Sequence, residues 1–329
     1  SNKRIDAHQH FWNYDPVVSF YERLNGKAFA WLNEDMKTLR RDFLPGDLRP
    51  LIRGYGVDGT IAVQARQCEE ETVFLLNLAE QNPDVVMGVV GWLDLRADDV
   101  EEKVSADSSL KCSWLSTRRT RSWSVFVTLY ALLSSLMTGP DEPDDEFLLR
   151  PAFLRGIKLL KKYDLTYDIL IYPKHLKVAK QFVEQFPDQP FVIDHIAKPF
   201  IKDHIVGEWE EEYAWLSLSN LTQGVAAFPN VYIKVSGMVT EADWKNWKEE
   251  DFTAYLSIVF DAFGPRRVMI GSDWPSMSFV VFFPVVMTLC GEYAQVLDIV
   301  KHFISKYSQE EQDMILGGTA NHFYLHRCH

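Results

Sequence analysis

The chain alternates between short apolar stretches and amphipathic stretches, and this alternation limits its possible folds more than any other feature. Seven apolar stretches, rich in β-branched residues, read as strands that start near Ile5, Thr60, Val86, Tyr167, Phe191, Val231 and Val268. The stretches between them have helical periodicity, as in EEETVFLLNLAEQ at residues 69–81, which stops before Asn82 and Pro83. Regular alternation of strands and helices predicts a parallel sheet covered by helices.

The length of the chain favours closure of this sheet into a barrel. With 329 residues, of which 47% are apolar, the chain can form a large core, and α/β barrels of this size commonly form one domain. An eighth strand is expected between residues 104 and 141, where WSVFVTLYAL at 123–132 is one candidate. We therefore predict a single domain, residues 1–329, with the α/β fold of a distorted (β/α)8 TIM barrel.

Two segments do not follow the strand and helix pattern, and we expect them to be irregular. Residues 105–140 contain Ser/Thr clusters, three arginines and an apolar run. Residues 276–290 are apolar where an active-site loop would be polar. We hypothesise that both are foreign insertions or misread coding sequence, which sequencing of the spliced transcript would test.

Composition excludes several classes of partner. The net charge is -12 and no Lys/Arg cluster is dense, so we expect no nucleic-acid binding. The four cysteines are scattered without C-x-x-C spacing, which argues against a disulfide framework. The apolar runs are shorter than the roughly 20 residues that span a bilayer, and no signal-peptide pattern precedes the first strand. We predict a cytoplasmic protein that binds a small molecule and no membrane; its oligomeric state is left open.

The first strand carries an unusual polar face in the sequence RIDAHQHFW. Because side chains alternate along a strand, Asp6, His8 and His10 are expected to project to the same side. Three titratable groups on one face indicate either a solvated surface or a site.

Polar residues also follow the other strands, at the end of a barrel where catalytic groups gather. Those at the strand ends are Gln64, Arg66, Tyr172, Asp194, His195, Lys234, Ser236, Ser272 and Asp273. Together, His8, His10, His195 and Asp273 form a set of three imidazoles and one carboxylate. Several of these strand-end residues have a structural alternative: His195 could be a core histidine, Asp273 a turn residue, and Lys234 the partner of a buried carboxylate.

This set has two chemical uses, and the residues alone leave both open. Neutral imidazoles and the Asp273 carboxylate can hold one divalent metal ion, such as zinc, with a position left for water. Alternatively, the imidazoles of His8, His10 and His195 bind a substrate carbonyl directly, without a metal. In both schemes Asp273 accepts a proton from water. We further expect Gln64, Tyr172 and Trp12 to contact the substrate.

Four motifs carry a resemblance to a known family: IDAHQHFW, VIDHIAKP, YIKVSGM and MIGSDWP. They resemble the amidohydrolase-related (amidohydrolase 2) group of sugar lactonases, which includes L-fuconolactonase-like and L-rhamnonolactonase-like enzymes and is related to 2-pyrone-4,6-dicarboxylate lactonase. The resemblance covers about residues 4–104, 141–275 and 291–325. In it, His8 and His10 match the family's strand-one pair, His195 its strand-six histidine and Asp273 its strand-eight aspartate.

The resemblance implies a TIM barrel that opens a sugar-acid lactone, or a similar cyclic carboxylic ester, with one metal or none. Residues 105–140 stand where the family has a strand of the GVRH type, so part of the substrate pocket departs from the pattern. We therefore predict a lactonase-type hydrolase that activates water by general-base catalysis. The alternatives are a metal-dependent decarboxylase of the same superfamily and a catalytically inactive barrel.

Overall fold

A computed structural model describes residues 3–17, 34–105, 124–126, 145–202, 209–277, 279–282, 285–288 and 291–325. Within these residues, eight parallel strands form two four-stranded sheets with the strand orders β1-β2-β3-β4 and β5-β6-β7-β8. The first sheet comprises β1 Ile5–His10, β2 Gly59–Val63, β3 Val86–Val90 and β4 Ser124–Phe126. The second comprises β5 Tyr167–Ile169, β6 Phe191–Ile193, β7 Val231–Val235 and β8 Val268–Ile270. Together they are the two halves of a (β/α)8 barrel, as predicted.

Helices connect and cover these strands. They are α1 Pro45–Tyr55, α2 Glu69–Gln81, α3 Pro151–Lys162, α4 Leu176–Glu184, α5 Trp209–Ala226, α6 Glu250–Phe263, α7 Tyr293–Phe303 and α8 Gln309–Asp313. Helix α1 ends at Gly56, whose φ of 79° is the left-handed conformation that glycine adopts without a Cβ clash. In the part of the chain described here, no helix is both long and apolar enough to cross a membrane.

Helix α3 illustrates how the outer layer packs on the barrel. Its buried residues Phe153, Ile157 and Leu160 recur at helical spacing and form one apolar face. Gly156 allows the helix to approach closely, because a Cβ at this position would lie 2.2 Å from the carbonyl oxygen of Leu95. The aromatic ring of Phe153 then contacts Tyr167 of β5, with 5.7 Å between ring centroids.

The two segments expected to be irregular, residues 105–140 and 276–290, differ in what the structure describes of them. Strand β4 lies inside the predicted candidate 123–132 and pairs in parallel with β3; the rest of 105–140 lies outside the described residues, apart from Ser105. Residues 276–290 depart from the alternation of strands and helices, as expected, but part of the segment is regular, because β9 Phe279–Phe282 and β10 Val285–Thr288 form an antiparallel pair. Two short runs of β-branched and aromatic residues on either side of a proline suit such a pair.

Strands β1 and β8 close the barrel through backbone hydrogen bonds made just beyond β8. The amide of Asp273 donates to the carbonyl of His8 (2.8 Å), and the amide of His10 donates to the carbonyl of Trp274 (2.7 Å). The buried carboxylate of Asp6 adds a side-chain link, because it accepts hydrogen bonds from the backbone amide of Ser272 (2.8 Å), the Ser272 hydroxyl (2.6 Å) and the Tyr293 hydroxyl (3.0 Å). Closure therefore depends on one carboxylate with several donors.

Asp6 does not share a face with the two histidines, contrary to the alternation argument. The pairing of β1 with β2 shifts register between Asp6 and Gln9, and a shift of this kind interrupts strict alternation. Asp6 consequently contacts Ser272 and Tyr293, while His8 and His10 meet in another cluster described below.

Replacing Asp6 with Ala is expected to destabilise the fold by about 3 kcal/mol, because the buried Ser272 amide and hydroxyl would lose their acceptor. Urea unfolding followed by circular dichroism measures this change. The matched control is Asp58→Ala, which removes an exposed carboxylate that accepts one hydrogen bond, from the Arg4 amide at 2.8 Å. It should cost less than about 1 kcal/mol. Equal losses in the two variants would contradict the role of Asp6 in closure.

Candidate active site

Three donor groups meet at the mouth of the barrel, where β1 and β8 end. One donor atom each from His8, His10 and Asp273 lies within 4.8 Å of the others, and all three residues are buried. The Nε2 atoms of His8 and His10 are 3.2 Å apart. His10 Nε2 is also 3.2 Å from Asp273 Oδ1.

The protonation of His10 follows from its neighbours. Its Nδ1 lies 2.9 Å from the carbonyl oxygen of Val63. A carbonyl oxygen can only accept a hydrogen bond, so Nδ1 of a neutral His10 carries the proton and Nε2 carries the lone pair. The lone pair is therefore on the nitrogen that faces His8 and Asp273.

The donor set fits a divalent cation. Ligands of a tetrahedral zinc ion, at bond lengths of about 2.0–2.1 Å, lie about 3.3 Å from one another. The two spacings of 3.2 Å, from His10 Nε2 to His8 Nε2 and to Asp273 Oδ1, match that value. Two imidazole nitrogens and one carboxylate oxygen also leave room for a further ligand, as catalytic sites of this type require.

His195 lies beside this group, although it does not contribute a donor atom to it. Its ring centroid is 4.4 Å from that of His8, and its Nδ1 is 2.9 Å from the Ser236 hydroxyl oxygen. Burial lowers the pKa of His195 to about 3. A neutral imidazole thus stands next to the candidate cation site, with Nε2 on the side not used by Ser236.

His195 is the first residue of a turn whose backbone is left-handed. Four successive non-glycine residues, His195 to Lys198, have φ values of 54°, 48°, 63° and 48°. Such residues cost about 1–2 kcal/mol each in this region of backbone space. The turn is closed by a hydrogen bond from the Lys198 amide to the His195 carbonyl (2.8 Å).

Gly237 makes room for the His195 ring. Its φ is 61°, and a Cβ added there would lie 2.5 Å from His195 Nδ1. Only glycine combines this backbone conformation with so close an approach. Gly237 therefore belongs to the site, although its side chain supplies no chemistry.

Asp273 is held in its charged form. Burial alone would raise its pKa, but the surrounding cationic and imidazole groups, the Lys198 ammonium among them, outweigh burial and keep the pKa below its ordinary value. Its φ of 59° is again left-handed, so backbone strain accompanies this residue as well.

Behind the histidines lies a buried ionic cluster centred on Lys234. The ammonium nitrogen of Lys234 is 2.5 Å from Asp168 Oδ2, 2.9 Å from Asp194 Oδ1 and 3.2 Å from His8 Nδ1. The Tyr324 hydroxyl donates to Asp168 Oδ2 (2.7 Å). Lys234 thus pairs with buried carboxylates, which is the structural alternative given for this residue above.

This cluster also keeps His8 neutral. Burial first, and then the charges of Lys234 and His10, lower the pKa of His8 well below its ordinary value. A neutral His8 has one nitrogen free to act as a ligand or acceptor.

The three residues predicted to contact substrate are placed differently. Gln64 is buried at the end of β2, and its side-chain oxygen accepts no hydrogen bond from any described residue. Tyr172 is half-buried at the mouth, with the Lys198 ammonium 6.0 Å from its ring centroid. Trp12 instead lies in the core, fully buried, with its indole N–H donating to the Arg41 carbonyl (2.9 Å). The expectation for Trp12 is corrected, because a ring packed on Phe43 offers no surface to a substrate.

Sequence reasoning missed several residues near the site. Asp168 lies within β5, so a search for polar residues at the ends of the strands does not find it. Lys198 follows the predicted histidine by three residues and pairs with Glu241 Oε1 at 2.5 Å. Glu71 is buried on α2, where its Oε1 accepts a hydrogen bond from the Ala65 amide (2.9 Å), next to Gln64. A glutamate in the first turn of an amphipathic helix is expected to be exposed to solvent. The sequence pattern therefore does not indicate that Glu71 is buried near the site.

Glu71 should make the stability of the protein depend on pH. Burial raises its pKa from about 4.5 to about 7, so the folded state binds a proton that the unfolded state releases. The resulting stabilisation, up to about 3 kcal/mol, is present below pH 4.5 and is lost as the pH rises through 7.

Urea unfolding of wild type and Glu71→Gln at about pH 5 and about pH 8 measures this effect. The decrease in the free energy of unfolding between the two pH values should be smaller in the variant than in wild type. The neighbouring Glu70→Gln, at an exposed position, should keep the wild-type profile. Unchanged pH dependence in Glu71→Gln would show that the carboxyl is not a buried acid.

Comparisons with known proteins agree with this geometry. The chain is 32% identical, over 98% of its length and 95% of the relative's, to an L-fucono-1,5-lactonase from Burkholderia multivorans (strain ATCC 17616 / 249). An L-fucono-1,5-lactonase from Burkholderia ambifaria is 30% identical, with the same 98% and 95% coverage. A solved amidohydrolase from Burkholderia multivorans with bound zinc superposes with a TM-score of 0.77 and 31% identity, over 98% of this chain and 99% of that one.

The family match extends over nearly the whole chain, residues 5–325. It includes every strand of the barrel and all four residues that the sequence singled out as catalytic. The predicted relationship is confirmed: this protein belongs to the amidohydrolase family.

Proposed function

We propose that this protein hydrolyses the ring ester of a sugar-acid lactone. The observation that carries the proposal is the buried group of His8, His10 and Asp273, with neutral His195 beside it, at the end of the barrel where such enzymes act. Kinship with two L-fucono-1,5-lactonases, matched along almost their whole length, supports lactone hydrolysis in general. The choice of base and the contacts with the substrate are our own assignments.

Lactone hydrolysis needs an acceptor for the proton of the attacking water, and Asp273 is our candidate. Its lowered pKa keeps the carboxylate ionised at neutral pH. One of its oxygens faces His10 Nε2 at 3.2 Å, which leaves the second to accept a proton from water. As water bonds to the ring carbonyl carbon, its acidity rises, and the carboxylate takes the proton. When the C–O bond of the ring then breaks, Asp273 returns that proton to the leaving ring oxygen.

The negative charge that develops on the carbonyl oxygen needs a donor or a cation. His195 is neutral because its pKa is about 3, and its Nε2 lies on the side away from Ser236. We assign His195 to bind the carbonyl oxygen or the leaving ring oxygen, since a preorganised donor in a dry site stabilises charge strongly.

His8, His10 and Asp273 would hold a divalent cation, and zinc is the one bound by the solved Burkholderia multivorans relative. When bound, such a cation polarises the ester carbonyl and favours deprotonation of water. The residues themselves orient the reaction: the backbone link between His8 and Asp273 fixes base and ligand relative to each other.

The hydroxyl groups of a sugar acid require polar partners, and the mouth supplies them. The buried amide oxygen of Gln64 has no hydrogen-bond donor among the described residues and can accept a hydrogen bond from a substrate hydroxyl. Tyr172 lies next to Lys198, the last residue of the left-handed turn, and the two can contact the carboxylate or hydroxyls of the product.

The main test is turnover of an aldonolactone panel, followed by a pH indicator, with zinc analysis on the same sample. Asp273→Asn should lower kcat/KM at least a thousandfold, because the amide cannot accept the proton. Asp261→Asn, at an exposed site on α6, is the control and should match wild type.

Asp273 is both the proposed general base and a candidate ligand of the cation. Assays of Asp273→Asn with added zinc therefore distinguish loss of the base from weaker binding of zinc. Undiminished turnover in Asp273→Asn would refute the assignment of the base. A folded wild type that opens no lactone would refute the proposal and favour one of the alternatives, a decarboxylase or an inactive barrel.

Gly237→Ala should reduce turnover by about a hundredfold, because the added methyl would displace the His195 ring. Gly264→Ala provides a matched control, since Gly264 also has a positive φ (68°) but nothing lies within 4 Å of its Cβ position. Both variants should lose about 1 kcal/mol of stability from backbone strain, measured by urea unfolding. Only Gly237→Ala should lose turnover; equal activities would contradict the positioning role.

A further inference from the structure

His8 faces two groups that make opposite demands on its Nδ1 atom. The Lys234 ammonium, 3.2 Å away, can only donate a hydrogen bond. The Asp194 carboxylate, whose Oδ1 is 3.5 Å away, can only accept one. Both partners are fully buried.

One arrangement satisfies the ring nitrogens of His8 and His10 without a cation. If Lys234 donates to Nδ1, the proton of neutral His8 is on Nε2. That Nε2–H points to His10 Nε2, 3.2 Å away, which carries a lone pair because His10 Nδ1 donates to the Val63 carbonyl. Both nitrogens of His8 and both nitrogens of His10 then have a partner, and only the Asp273 carboxylate beside His10 Nε2 gains no donor from this chain of hydrogen bonds.

The second arrangement requires a cation. Both Nε2 atoms must then present lone pairs, which would repel each other at 3.2 Å without a positive charge between them. The proton of His8 moves to Nδ1, where Asp194 is the acceptor within reach. Asp194 is available for this purpose, because neither of its oxygens accepts a well-aligned hydrogen bond from the described residues, despite the ion pair with Lys234.

We propose that Asp194 and Lys234 select between these two tautomers of His8 and thereby set the affinity of the site for its cation. Asp194 favours the tautomer that binds the cation, and Lys234 favours the one that excludes it. This inference rests on the cation site of the proposed function, but it does not depend on the identity of the lactone.

Lys234 can release His8 without losing its other partners. Its ammonium remains 2.5 Å from Asp168 and 2.9 Å from Asp194 in the same geometry. Asp168 is itself held by the Tyr324 hydroxyl at 2.7 Å. The exchange therefore needs a proton to change places on one ring and little movement of the cluster.

The mutational test compares two isosteric variants of the full chain, Asp194→Asn and Asp168→Asn. Each removes one carboxylate from the pair that neutralises Lys234, but only Asp194 faces His8. Zinc affinity is measured by competition with a chromophoric chelator. Asp194→Asn should weaken zinc binding about ten- to a hundredfold, as loss of a carboxylate behind a ligating histidine does. Asp168→Asn should change it only a few-fold. Equal weakening would overturn the proposal, because charge alone would then explain both results.

A measurement on wild type keeps the proposal testable if either variant fails to fold. In protein labelled with 15N-histidine, ring nitrogen shifts report which nitrogen of His8 carries the proton. Nδ1 should be unprotonated in zinc-free protein and protonated after zinc is added. His8 protonated on Nδ1 in both states would overturn the tautomer exchange. Because no lactone is present, this result is independent of whether the enzyme hydrolyses one.

Discussion

The buried ammonium of Lys234 is the interaction on which the site depends. It joins Asp168 on β5, Asp194 after β6 and His8 on β1, so one charge ties together three strands of the barrel. Burial opposes the charged form of Lys234, but the two carboxylates outweigh it and raise its pKa. A buried pair of this kind is costly to break, because removing one partner leaves an uncompensated charge. The groups around it are therefore fixed before any ligand arrives.

Backbone strain lies at the same end of the barrel. His195 and Asp273, from different strands, both have left-handed backbone conformations, and Gly237 provides space beside the former. These conformations persist because neighbouring hydrogen bonds hold them, as the His8 carbonyl holds the Asp273 amide. Two of the four predicted catalytic residues thus have strained backbone conformations. In such a site the position of the side chain matters more than the conformational energy of its backbone.

Much of this could be predicted from the order of residues alone. The seven strand starts and the convergence of His8, His10 and Asp273 follow from periodicity and from the rule that parallel strands end at one face. The contacts of Asp6 could not be predicted, because a register shift in β1 depends on pairing with β2. The position of Trp12 depends on backbone carbonyls more than 25 residues away. The partners of His8 come from strands that only the closed barrel brings together.

The link between the first and last strands has a consequence for how the site responds to its surroundings. Asp6 and Ser272, which join these strands, are 266 residues apart in sequence. His8 and Asp273 lie on the two sides of the same junction, so a ligand held by both can bind only after the long stretch of chain between them has brought its two ends together. The free energy of ligand binding therefore also stabilises the closed barrel. This contribution to the stability of the whole barrel grows with the logarithm of the ligand concentration. Occupancy of the active site would thus protect the seam of the barrel against opening and against proteolysis.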